Sequence, residues 1–201
     1  MSLHANPARV VGGPVQRRRT FMKQQMATTW WLTGLPGSGK TTLAQALADA
    51  LRMRGEPACV LDGDELRQGL CTDLGFDEAS RAENVRRAAH LAQMLNANAI
   101  HAIVAMVSPA STARAAAYAT IGTQRCFEIH VSTPLEICEQ RDPKGLYAKA
   151  RANQLTQMTG IHAAYEEPDA PALRLDTSVI EVGQAVQRML NGWSATPEQS
   201  T

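Results

Sequence analysis

The run Gly34-Leu35-Pro36-Gly37-Ser38-Gly39-Lys40-Thr41 constrains this chain more than any other feature. It satisfies G-x-x-x-x-G-K-[ST] and lies where that pattern has physical meaning. A β-branched and aromatic segment, Thr28 to Thr33, precedes it, and an amphipathic helix is expected after it over 41–54, with Leu43, Leu47 and Leu51 at four-residue intervals. Such a loop wraps phosphate because glycine lets the backbone approach closely, several N–H groups turn inward, and the helix N-terminus adds partial positive charge. Lys40 is expected to reach the β- and γ-phosphates, and the Thr41 hydroxyl to bind Mg²⁺. A site for ATP or GTP follows, while the acceptor stays open.

The rest of the chain alternates strand and helix. Ala58 to Leu61 reads as a short apolar strand ending at Asp62, and Ser80 to Asn98 as a long helix with Ser80 at its N-cap and Glu83 three residues on. Ile100 to Val107 has the near-continuous apolar character of a strand buried on both faces. A helix over 110–120, a strand over 125–131 and a short helix over 134–141 follow. Leu173 to Leu175 is expected as the last strand, and Val179 to Leu190 as a closing helix stopped by Gly192. This order predicts an α/β fold of three layers, a parallel sheet flanked by helices, because parallel crossovers need an intervening element. Ligands of such sheets bind at the carboxyl ends of the strands, so Thr33, Asp62 and Val107 should meet at one edge. The expected domain covers 28–193. Residues 1–27, with Gly12-Gly13-Pro14 and the basic Arg17-Arg18-Arg19, read as a disordered extension or leader, and 194–201 as a flexible tail.

Composition narrows the function classes. Lys plus Arg is 20 and Asp plus Glu is 19, a balance unlike that of a general nucleic-acid or membrane-surface binder. No apolar run approaches the roughly 18 residues that a membrane span needs. The 4 cysteines form no C-x-x-C pair and match no zinc spacing, so free thiols are expected. A cytoplasmic enzyme on a small-molecule substrate fits these limits.

Chemistry beyond the phosphate loop concentrates in Asp62-Gly63-Asp64. A carboxylate here can hold Mg²⁺ through water, or orient and deprotonate an acceptor hydroxyl; the bland alternative is a turn with Asp64 capping the next helix. No later strand offers an obvious Asp at its end. Arg67 and Arg81 are candidate anion clamps, and Phe76, in a loop beside Gly75, is a candidate platform for a base. The alternatives are solvated charges and a core plug; on pattern alone, Arg86 and Arg87 read as solvated.

Taken in order, the segments Gly34 to Thr42, Leu61 to Leu70, Asp73 to Phe76, Arg81 to Arg87, Val107 to Pro109, Asp142 to Arg151, Met158 to Ile161 and Tyr165 to Pro168 resemble those of the adenylylsulfate (APS) kinases. The resemblance runs collinearly from about 29 to 177. It implies a P-loop kinase fold with a mobile lid over 142–168, and Mg²⁺-dependent transfer of the ATP γ-phosphoryl group to the 3′-hydroxyl of adenosine 5′-phosphosulfate, giving PAPS. Lys40, Asp62, Asp64 and Ser108 would form the catalytic group, with Thr41 and Asp62 at the metal. ATP would lie on Gly34 to Thr42, with Arg141 at the adenine. The acceptor would meet Asp64, Arg67, Phe76, Arg81 and Asn84 on one side. Val107, Ser108, Lys144, Leu146, Met158, Gly160 and Ile161 would complete its site.

The family's motif serine, Ser108 here, is described as a phosphorylated intermediate; shaping a strand-end loop before Pro109 is an equally good role, because P-loop transfer is mainly positioning and charge neutralisation. The resemblance also implies a homodimer and a functional link to ATP sulfurylase. Ala110, Ser111 and Met158 depart from the family pattern. They motivate an alternative, a related P-loop kinase acting on a different nucleotide-linked molecule. A nucleotide-binding regulatory subunit is a third reading, disfavoured by the presence of Lys40, Thr41, Asp62 and Asp64.

Overall fold

The central strand, β1 (Thr29–Thr33), is buried along its whole length. A strand covered on both faces must present apolar or hydrogen-bonded side chains to each. Trp30 and Leu32 join one core layer and Trp31 the other, while the Thr29 hydroxyl donates to Asn96 Oδ1 at 2.8 Å. The computed structural model describes residues 26–194. In it β1 is joined by β2 (Ala58–Asp62), β3 (His101–Ala105), β4 (Cys126–Val131) and β5 (Leu173–Leu175). The strand order is β2-β3-β1-β4-β5 and every pairing is parallel.

Helices α1 (Lys40–Met53) and α7 (Val182–Ser194) cover one face, and α3 (Glu78–Ala97) and α4 (Ser111–Ile121) the other. Leu43, Leu47 and Leu51 form the buried stripe their spacing foretells; burial of each stabilises by about 1.5–3 kcal/mol. Ala88, Ala89 and Ala92 let α3 lie close to Trp31 and Val104. Three shorter α-helices, α2 (Gly63–Gln68), α5 (Leu135–Arg141) and α6 (Leu146–Arg151), and a 3₁₀ turn over Thr123–Arg125 complete the described elements.

Four local expectations change. The N-cap of α3 is Asp77, not Ser80: its carboxylate accepts from the Ser80 N–H at 2.9 Å and the Ser80 hydroxyl at 2.6 Å, which draws Ser80 into the first turn. Helix α7 runs through Gly192 rather than stopping there. A Cβ at Gly192 would stand 3.1 Å from Phe127 Cζ, so this glycine serves close helix–sheet packing. Helix α6 is too short to show a period in the sequence, and α2 enters only through the alternative in which Asp64 caps a helix. Finally, Asp176 does follow a later strand, β5, but its carboxylate accepts from the Ser178 N–H at 2.8 Å and hydroxyl at 2.6 Å and closes a turn. Most of the 1–27 segment and residues 195–201 lie outside the described residues; Ala27 is buried, so the compact unit already includes it. All four cysteines are free thiols.

Candidate active site

The carboxyl ends of the strands meet as their order requires. Asp62 pairs in register with Ala105, and the Thr33 hydroxyl donates to the Val107 carbonyl at 2.8 Å. From this edge opens a cleft of about 910 Å³, lined by the phosphate loop at one end and by Arg67, Phe76, Arg81 and Asn84 at the other.

The phosphate loop is held from below. Gly37 has φ 76°, and a Cβ there would stand 2.9 Å from the Cys138 carbonyl oxygen, so the position admits only glycine. Gly39, at φ 97°, leads into α1. Two threonines tie the loop down: Thr133 and Thr177 both donate to the Ser38 carbonyl, at 3.1 and 2.9 Å. Arg141 donates to the Thr177 hydroxyl at 2.7 Å and to its carbonyl at 2.8 Å. Sequence reading missed Thr133 and Thr177, although both follow parallel strands at the binding edge, where polar residues merit attention.

Lys40 is buried, and its ammonium donates to the carbonyls of Gly34 (2.9 Å) and Leu35 (2.7 Å). Burial pulls its pKa down to about 8, against the opposing pull of Cys138 and of the Asp62 and Asp64 carboxylates. The Thr41 hydroxyl donates to Asp62 Oδ2 at 2.7 Å, while Asp62 Oδ1 accepts from the Asp64 N–H at 2.8 Å. Asp62, rather than Asp64, therefore caps α2, and this fixes the Asp62 carboxylate beside Thr41. These two oxygen donors suit a hard divalent cation that takes its remaining ligands from water and phosphate. Asp64 is exposed toward the cleft and pairs with Lys144 from the segment after α5.

On the far side, Phe76 is 56% exposed and lines the cleft, which removes the core-plug reading. The Arg67 guanidinium lies over its ring at 4.5 Å and donates to the carbonyls of Leu74 and Gly75. Arg81 donates to the Phe76 carbonyl at 2.7 Å, and to Thr159 Oγ1 and the Gln157 carbonyl. Asn84 is buried in the wall, with its Oδ1 unpartnered.

Ser108 also lines the cleft, but only 2% of it is exposed. Its hydroxyl accepts from the Trp31 indole at 3.1 Å, and its own φ of 40° is unusual for a residue other than glycine. Arg114 holds the loop by donating to the Ser108 carbonyl at 2.8 Å.

Residues 142–168 pack over the phosphate loop. Tyr147, Ala150 and Met158 form a small core with Cys138, against which Leu35 and Ile161 rest, and the Tyr147 hydroxyl donates to the Pro36 carbonyl at 2.9 Å. The far end is anchored where the Tyr165 and Thr33 hydroxyls pair at 3.0 Å. Of the residues expected at the site, Pro36, Gly37, Gly39 to Thr42, Val107, Arg141, Lys144, Leu146 and Met158 line the cleft. Gly34, Leu35, Ser38, Gly160 and Ile161 are not in its lining. Leu35 and Gly160 instead face each other, a Cβ at Gly160 falling 3.0 Å from Leu35 Cδ2.

Comparison with known proteins gives the same picture. Residues 26–176 match the family model for adenylylsulphate kinase. The structure is similar to that of the Mycobacterium tuberculosis APS kinase CysC in complex with AMPPNP and APS, with 42% identity, a TM-score of 0.82, and coverage of 85% of this chain and 99% of that one. A hexameric APS kinase from Thiobacillus denitrificans is 31% identical, with a TM-score of 0.64 over 84% of this chain and 29% of that longer one. A gluconokinase from Sinorhizobium meliloti, at 15% identity and a TM-score of 0.56, shares the fold alone. Since the match takes in the phosphate loop, the Asp62 turn and the segment folded over them, the chain belongs to the adenylylsulphate kinase family.

Proposed function

We propose that this protein transfers the γ-phosphoryl group of ATP to the 3′-hydroxyl of adenosine 5′-phosphosulfate, giving PAPS and ADP. One observation carries the reading: a single cleft has a phosphate loop at one end, an exposed aromatic with two arginines at the other, and Asp62 and Asp64 between. That layout fits two nucleotides end to end, and the relative was solved in complex with AMPPNP and APS.

ATP phosphates enter the loop of Gly34 to Thr42, and Lys40 turns from the Gly34 and Leu35 carbonyls to the β- and γ-oxygens. Arg141 lies at the adenine. Thr41 and Asp62 hold Mg²⁺, which neutralises charge on the phosphoryl oxygens when bound. Phe76 and Met158 flank the acceptor's base, and Arg67, Arg81 and Asn84 fix its polar groups. Asp64 accepts the proton of the 3′-hydroxyl as its oxygen bonds to the γ-phosphorus and the bond to the ADP oxygen breaks. Ser108 shapes the wall through its hydrogen bond with Trp31 and forms no covalent intermediate. Lys144, Leu146 and the rest of 142–168 close over both substrates and exclude water. Homodimeric assembly, a functional link to ATP sulfurylase and a cytoplasmic location belong to the same proposal; among the described residues no helix is long and apolar enough to cross a membrane.

The test is ADP formation by the purified protein with Mg²⁺-ATP, offered APS and other nucleotide-linked alcohols in parallel. APS-dependent turnover with a 3′-phosphorylated product is expected. Turnover with another acceptor alone overturns the assignment.

A further inference from the structure

The loop that presents Phe76, residues 69–77, lacks regular structure, yet it is braced by three guanidinium groups. Two of them, Arg67 and Arg81, hold the carbonyls of residues 74–76 and also line the cleft. The third, Arg87, is outside the cleft lining and takes no part in the mechanism above. From the third turn of α3 it forks onto both carboxylate oxygens of Asp73, at 2.6 and 2.7 Å, and donates to the Leu70 carbonyl at 2.8 Å. Its Nε is fixed in turn by Glu83 Oε1 at 2.9 Å, a carboxylate that Arg86 also holds. All three nitrogens of the Arg87 fork thus donate, and two of its three partners are in the loop.

We propose that Arg87 is a positioning residue for the acceptor: through Asp73 and Leu70 it sets the loop that carries Phe76, and so the acceptor's affinity, without touching substrate. The inference rests on the proposal that the Phe76 side of the cleft takes the acceptor. Isolated exposed ion pairs contribute little to global stability, but a planar bidentate pair within a network fixes direction as well as distance. A short loop of low intrinsic stability is where such a fixed direction matters, because local opening there costs far less than global unfolding. Lysine keeps the charge and loses the fork, so it separates geometry from charge.

The experiment measures steady-state constants and amide hydrogen exchange for the wild-type chain, Arg87→Ala and Arg87→Lys. In Arg87→Ala, KM for APS is expected to rise about tenfold, with kcat and KM for ATP within about twofold and Tm lowered by no more than about 4 °C. Arg87→Lys should fall between. The amides of Cys71 and Leu74, which donate to the carbonyls of Leu66 and Cys71, should exchange at least about tenfold faster in Arg87→Ala, while α1 amides are unchanged. An unchanged KM for APS, or equal rises in both KM values with a large loss of Tm, overturns the proposal. A wild-type chain that does not use APS refutes the assigned reaction instead. In that case the exchange rates still decide whether Arg87 orders the loop, and unchanged rates refute it.

Discussion

Lys40 shows how burial and function meet in one side chain. Its ammonium is held by backbone carbonyls and lowered by burial to about 8, from an ordinary 10.5. Between those values the unfolded chain binds more protons than the folded one, so this group's contribution to stability is lowest below about 8 and rises as pH climbs toward 10.5. Phosphate at the site favours the charged form, so nucleotide binding near pH 8 should take up about half a proton. Calorimetry in buffers of different ionisation enthalpy reads this uptake, and Lys40→Met should abolish both uptake and transfer. At Ser108 the buried hydroxyl accepts from Trp31 and donates to the Met106 carbonyl at 3.5 Å. Ser108→Ala should therefore keep turnover within about tenfold of wild type, with no phosphoserine by mass spectrometry; complete loss would point to a covalent role. Asp64→Asn should lower kcat by about 100-fold or more with little change in ATP affinity, as read by single-turnover kinetics and nucleotide titration.

Among the elements, α7 departs most from its sequence reading. Glycine after a helical pattern is ordinarily a stop signal, yet Gly192 lies within the helix because Phe127 occupies the space a side chain would need. Gly192→Val should cost about 1–3 kcal/mol of stability by overpacking, measured by chemical denaturation, although valine has the better helix propensity. Helix α3 teaches a related point. Asp77 and Ser80 both have the chemistry of a cap, and only the course of the preceding loop decides that Asp77 occupies the position.

At the scale of the molecule, the family match ends at 176 but the core does not. Helix α7 seals the same face as α1. Its Trp193 meets Trp30 edge-on at 5.0 Å and donates to the Thr28 hydroxyl at 3.0 Å. Trp193→Ala should destabilise the whole domain by about 3–5 kcal/mol in equilibrium unfolding, and shift Tm accordingly. The segment 142–168 touches both the phosphate loop, through Tyr147, and β1, through Tyr165. Its position is therefore coupled to the site at both ends.

What the sequence by itself determined is local or periodic: the phosphate loop between strand and helix, the leucine stripe of α1, the alternation that requires a parallel sheet, and the carboxylates at the end of β2. Each signal lies within a few residues and expresses backbone geometry or amphipathic period, so it survives without knowledge of the fold. The tertiary structure alone decided that Thr133 and Thr177, 44 residues apart, share the Ser38 carbonyl, that the Ser108 hydroxyl is taken by Trp31, and that Arg87 braces the Phe76 loop rather than facing solvent. A polar side chain has the same appearance in a sequence whether its partner is water or a distant backbone. Which it meets depends on strand order and helix packing, and those are properties of the assembled chain.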